Sequence, residues 1–173
     1  MTAQPRFHTP RDHSRKTLGG KLAALSEAMG QPLMPWQRMA ADVALELDPD
    51  TGRFHYRKVV ITVPRQSGKS TMVLSLGLHR LLITPKARVW ITAQTGQSAR
   101  ELFLEELAPK AMRILGGAID LKRGAGATGM NFGDGYFRPH PPNDEYLHGK
   151  QSDLNLMDEV WTLTETAGDG LMQ

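Results

Sequence analysis

The order strand, turn, helix, strand, helix across residues 57–114 predicts an α/β fold with a mostly parallel sheet flanked by helices. Three observations carry that prediction. Residues 57–63 read Arg-Lys-Val-Val-Ile-Thr-Val, a β-branched run of the near-continuous apolar kind that suits a strand buried on both faces. Residues 88–93 repeat the signal as Arg-Val-Trp-Ile-Thr-Ala. After each run the apolar residues change to helical spacing: Met72, Leu74, Leu78, Leu81 and Leu82 after the first, then Ala99, Leu102, Phe103 and Leu107 after the second.

The remaining elements follow in chain order. Residues 1–17 read as a flexible basic leader, with Arg6, Arg11, Arg15 and Lys16 set among Pro5, His8, Pro10 and His13. Residues 18–56 hold two helices. Leu18, Leu22, Leu25 and Met29 mark the first, which stops at Gly30. The second starts near Pro35, with Trp36, Met39, Ala40, Val43, Ala44 and Leu47 on one face, and Asp48, Pro49, Asp50 and Gly52 end it in a turn. Residues 57–173 form the core domain. Its helices are expected over 71–83, closed by Pro85, and over 97–114. The Gly-dense stretch 116–142 holds short strands at 130–132 and 136–138, read as a hairpin or excursion. A third apolar strand, 154–157, runs into Asp158 and Glu159, and one more helix begins near Leu163.

Composition narrows the class. At 173 residues, 40% apolar and 23% charged, the chain has the make-up of one globular domain. There is no cysteine, which excludes disulfides and thiolate metal sites. No apolar run has signal-peptide or bilayer length, so a cytoplasmic, non-secreted protein with no membrane contact is expected. A formal net charge of +3 is too small to name a polyanionic partner unless it is clustered.

The chemistry sits in two places. Residues 64–71, Pro-Arg-Gln-Ser-Gly-Lys-Ser-Thr, end in the Gly-Lys-Ser of a phosphate-binding loop, between a predicted strand and a predicted helix. Gly68 permits close backbone approach, and the amides of Gln66, Ser67, Gly68 and Thr71 can face a β-phosphate. Lys69 reaches the β- and γ-oxygens, and the Ser70 hydroxyl ligates Mg²⁺. Val63 stands where the usual pattern begins with Gly. Arg65, inside the loop, can meet charge developing on the γ-phosphate. The second place is the end of the strand at 154–157, where ligands bind in open α/β sheets. There Asp158 would hold Mg²⁺ through its water shell, and Glu159 would polarise the water that attacks the γ-phosphate.

With both motifs in hand, the chain resembles the ATPase domain of the large terminase subunit of tailed bacteriophages, from about Leu33 to the C-terminus. Val-Pro-Arg-Gln-Ser-Gly-Lys-Ser at 63–70 is the specific likeness, because terminases commonly lack the leading Gly and place an arginine in the loop. Pro35-Trp36-Gln37 looks like the family's adenine-contacting segment, with Gln37 offering a donor and an acceptor. Ile91-Thr92-Ala93-Gln94-Thr95 resembles the segment that helicases and terminases share after the second strand, and His148-Gly149 is terminase-like.

The resemblance implies a P-loop NTPase fold of the ASCE type that is truncated before the coupling strand, an element that lies between the phosphate-loop strand and the acidic strand. It also implies ATP and Mg²⁺ as ligands, ATP hydrolysis, and double-stranded DNA as the track into a capsid. A small terminase subunit, a portal protein and a homo-oligomeric ring are the implied partners. Two other readings stand beside it: a helicase-like DNA or RNA translocase fragment, and a truncated nucleotide-binding module without turnover.

Overall fold

A computed structural model describes residues 5–124, 126–142 and 151–158. Contacts divide the chain into two compact units, Met1–Met72 and Val73–Gln173, so residues 64–71 belong to the first unit and the sheet to the second.

In the N-terminal unit, α1 (Gly19–Ala28) buries Leu22 and Ser26 and packs on α2 (Pro35–Ala44). The side of α2 that is buried carries Gln37 and Ala41, and Leu45 just beyond it is buried too. The apolar face expected from the sequence is only half-buried. Trp36, Met39, Ala40, Val43 and Ala44 line a cavity of about 250 Å³, which Phe7 and residues 58–63 also border. Packing against α1 therefore selects a different stripe from the one hydrophobicity alone picks out.

The leader is fixed along part of its length, contrary to the flexibility expected of residues 1–17. Glu46 is fully buried, and its carboxylate takes the Arg11 guanidinium at 2.8 Å, that of Arg15 at 3.0 Å and the Asp12 N–H at 2.9 Å. Two backbone bonds, Leu18 N–H to Leu45 C=O at 3.1 Å and Leu47 N–H to Lys16 C=O at 2.8 Å, tie the same segment down. Burying a carboxylate requires paired charge, and the leader's arginines supply it.

The strand expected over 57–63 does not form. No backbone N–H or C=O of those residues bonds to another described residue, and Val60 is 88% exposed. A β-branched run lowers the cost of extension, but without a ladder partner it is not a strand.

The second unit holds the sheet. Its strands are β1 (Arg88–Thr92), β2 (Asp120–Lys122), β3 (Gly129–Phe132), β4 (Gly135–Pro139) and β5 (Leu154–Met157), in the order β2-β3-β4-β1-β5. The pairs β1–β4 and β1–β5 are parallel, whereas β2–β3 and β3–β4 are antiparallel. The sheet is therefore mixed and not mostly parallel, because the excursion after residue 116 returns through a tight β3–β4 hairpin over Gly133 and Asp134.

Helix α3 (Lys69–Ile83) runs into this unit. At Gly77 a Cβ would stand 2.4 Å from the Phe137 ring and 2.9 Å from Leu156 Cδ1, so the helix backbone lies directly on the sheet. Phe103 meets Phe137 edge-on at 5.3 Å. The helical stretch expected over 97–114 is α4 (Gly96–Glu101), π-helical turns at Leu102–Leu107, and α5 (Ala108–Leu115). Pro109 accounts for the wide turns, since it has no N–H to return to the carbonyl four residues earlier.

Candidate functional site

The turn over residues 64–68 is shaped by its backbone. Gln66 and Gly68 both take left-handed conformations, at φ 60° and 81°, with Ser67 between them. Left-handed residues interleaved with ordinary ones turn successive N–H groups toward a common concavity, the arrangement that holds anions. The Ser67 hydroxyl donates to the Pro64 carbonyl at 2.6 Å and closes the loop on itself. Helix α3 then starts at Lys69, and its first-turn N–H groups, which have no acceptor inside a helix, sit at the loop's end.

The side chains expected to act on a nucleotide are distributed around that backbone. Lys69, Ser70 and Thr71 are half-buried at the start of α3, and Arg65 is exposed. Val63, in place of the leading Gly, is half-buried and borders the cavity beneath α2. Gln37, expected to meet adenine, is instead engaged with the loop: its Nε2 donates to the Gly68 carbonyl at 2.8 Å and its Oε1 accepts the Met34 N–H at 2.7 Å. A Cβ at position 68 would lie 2.5 Å from Met34 Cε and 2.9 Å from Gln37 Nε2, so both side-chain ends would have to shift, and the φ of 81° would strain any other residue there.

Asp158 lies in the second unit, one residue past β5, and is 5% exposed. Its N–H donates to the Thr92 carbonyl at 3.0 Å, which carries the β1–β5 pairing one residue beyond the strand. The base of β5 is held in turn by Asp153. That residue accepts the Arg88 N–H at 2.8 Å on its carboxylate, and Arg80 at 2.9 Å on its carbonyl. Burial lowers the pKa of the Arg80 guanidinium, against the pull of Asp153.

Comparison with protein-family models, with curated proteins and with solved structures finds no match to this chain.

The segment after β1 divides its work. Thr92 is buried at the strand end, Gln94 is exposed, and Thr95 caps α4 by accepting the Ser98 N–H at 3.0 Å. Glu159, His148 and Trp161 lie outside the described residues. Trp90 is core, 2% exposed and edge-on to Tyr136 at 5.3 Å, whereas Trp36 faces the cavity.

Sequence reasoning missed three participants. Met34 has no chemical signature, and only its position at the start of α2 puts its methyl group over Gly68. Arg80 and Asp153, which fix the base of β5, are 73 positions apart and share no local pattern. No group of three or more His, Cys, Asp or Glu side chains able to hold a metal occurs among the described residues, and none of the helices searched is long and apolar enough to cross a membrane.

Proposed function

We propose that this chain is the Mg·ATP-binding, ATP-hydrolysing domain of a DNA-packaging motor of the large terminase subunit type. The observation that carries the reading is the loop itself: left-handed Gln66 and Gly68 directly before a 15-residue helix that opens with Lys-Ser-Thr.

In this reading the amides of Gln66 through Thr71 cradle the β-phosphate, and Lys69 bridges the β- and γ-oxygens. Arg65, exposed at the loop, is free to swing onto the γ-phosphate. The resemblance assigns Mg²⁺ to Ser70 and Asp158, a hydroxyl and a carboxylate of the kind a hard cation takes, and Mg²⁺ is ordinarily held by one or two such oxygens together with phosphates and water. When bound, Mg²⁺ would neutralise charge on the β- and γ-oxygens. Glu159 follows Asp158 directly and is assigned the base that orients the attacking water. Double-stranded DNA as the track, a small terminase subunit, a portal protein and a ring of copies come with the resemblance to the family.

The test is ATP turnover by the purified chain with and without double-stranded DNA, in wild type and in Glu159→Gln. The expected result is DNA-stimulated hydrolysis that Glu159→Gln abolishes while nucleotide affinity stays within about twofold, the behaviour of a group that acts only in the transition state. Undiminished turnover in Glu159→Gln would remove that residue from the base role, and absence of any turnover with DNA present would remove the motor reading.

A further inference from the structure

A side-chain amide carries one acceptor and one NH₂ donor group, and reading the edge of a base needs both. Both ends of Gln37 are already committed, the acceptor to Met34 N–H and the donor to Gly68 C=O, on a residue only 2% exposed. Turning this amide to a base would break two buried hydrogen bonds at once.

The bond to Gly68 has a direct mechanical consequence. The Gly68 carbonyl also accepts the Met72 N–H at 3.3 Å, so it is held by Gln37 and by the first turn of α3 together. The Gly68–Lys69 peptide is planar and trans, which makes its C=O and N–H point in opposite directions as one rigid body. Pinning the carbonyl therefore fixes the direction of the Lys69 N–H, the amide at the junction of loop and helix. Gly68 supplies the left-handed backbone and the open space that let Gln37 reach this carbonyl.

We infer that Gln37 is a positioning residue for the phosphate loop, which strengthens binding of the triphosphate moiety of any nucleotide and contributes no selectivity for adenine. This rests on the phosphate-loop reading above and assigns Gln37 a different role from the base contact that the family resemblance implies.

Two variants separate the two bonds. Gln37→Glu keeps an acceptor for Met34 N–H but faces the Gly68 carbonyl with an oxygen, whereas Gln37→Met keeps the length and removes both bonds. Affinities for Mg·ATP, Mg·GTP and Mg·tripolyphosphate are measured by calorimetry, and amide hydrogen exchange is followed in the ligand-free proteins. The expected result is a loss of about tenfold or more for all three ligands alike in both variants, the scale of one hydrogen bond. In Gln37→Glu the Met72 amide should exchange faster while Met34 keeps its protection, and in Gln37→Met both should exchange faster.

A loss confined to ATP would make Gln37 a base reader and overturn the inference. So would unchanged Met72 exchange in Gln37→Glu, or uniform quickening throughout α1 and α2, which is global loosening and not local positioning. If wild type binds none of the three ligands, the phosphate-loop reading fails, while the Met72 and Met34 pattern still decides whether Gln37 holds the loop.

Discussion

Residues 57–63 and β1 carry nearly the same sequence signature and meet opposite fates. Both are short β-branched runs opened by a basic residue and followed by a turn and a helix. The run at 88–92 is flanked on both sides, by β4 and β5, and four of its five residues are buried. The run at 57–63 makes no ladder bond to any described residue, and its Val59 and Val60 are 49% and 88% exposed. The difference teaches that apolar patterning specifies a tendency to extend, whereas a strand is a property of pairs. Composition within seven residues cannot say whether a partner stands alongside.

Substitution gives that contrast its sharpest test. Ile91→Ala removes a fully buried side chain from the middle of β1 and should cost about 2–5 kcal/mol in denaturant unfolding. Val60→Ala, on the unpaired run, should change stability by no more than about 0.5 kcal/mol. Comparable losses at the two positions would break the comparison.

A smaller effect is expected where α3 rests on the sheet. Gly77→Ala puts a methyl group into the space that the Phe137 ring and Leu156 occupy, and should cost about 1–3 kcal/mol by the same assay. A neutral Gly77→Ala would mean that α3 can lift from β4 and β5 at little cost, and that the second unit is less tightly built than its burial suggests.

The smallest effect belongs to the N-terminal unit and depends on pH. Burial raises the Glu46 pKa, but the Asp12 N–H and the Arg15 and Arg11 guanidinium groups outweigh it and leave the carboxyl below its ordinary 4.5. A depressed folded pKa means that the stabilisation is complete above 4.5 and is lost as pH falls through the lower folded value. Hydrogen exchange at Leu18 and Leu47, the amides that tie the leader down, should quicken over that acid range in wild type. In Glu46→Gln it should already be fast at neutral pH and respond little to acid.

The sequence conveyed elements better than their assembly. Helices α1 and α3, strands β1 and β5 and the β3–β4 hairpin lie within a residue or two of where periodicity and turn residues put them, because those signals are local, whereas α2 stops at Ala44, three residues before the Leu47 expected on its face. What escaped depends on distant partners: the unpaired run at 57–63, the antiparallel half of the sheet, and the anchoring of Arg11 and Arg15 on Glu46 more than 30 positions away. Gly68 was legible as the place where the backbone can be approached closely, but the left-handed turns at Gly68 and at Gln66, whose φ of 60° has no residue signature, were not. Gln37 was legible as a chemical group and not as a contact, because its partner at Gly68 stands 31 positions along the chain.

The central claim is that residues 64–71 bind a nucleotide's phosphates. Thermal unfolding with and without Mg·ATP, in wild type and Lys69→Ala, tests it most directly. At a hundredfold excess over Kd the bound state gains about 2.7 kcal/mol, which should raise the wild-type transition by several degrees and leave Lys69→Ala where it was. A cooperative wild-type transition that Mg·ATP does not move would contradict the claim.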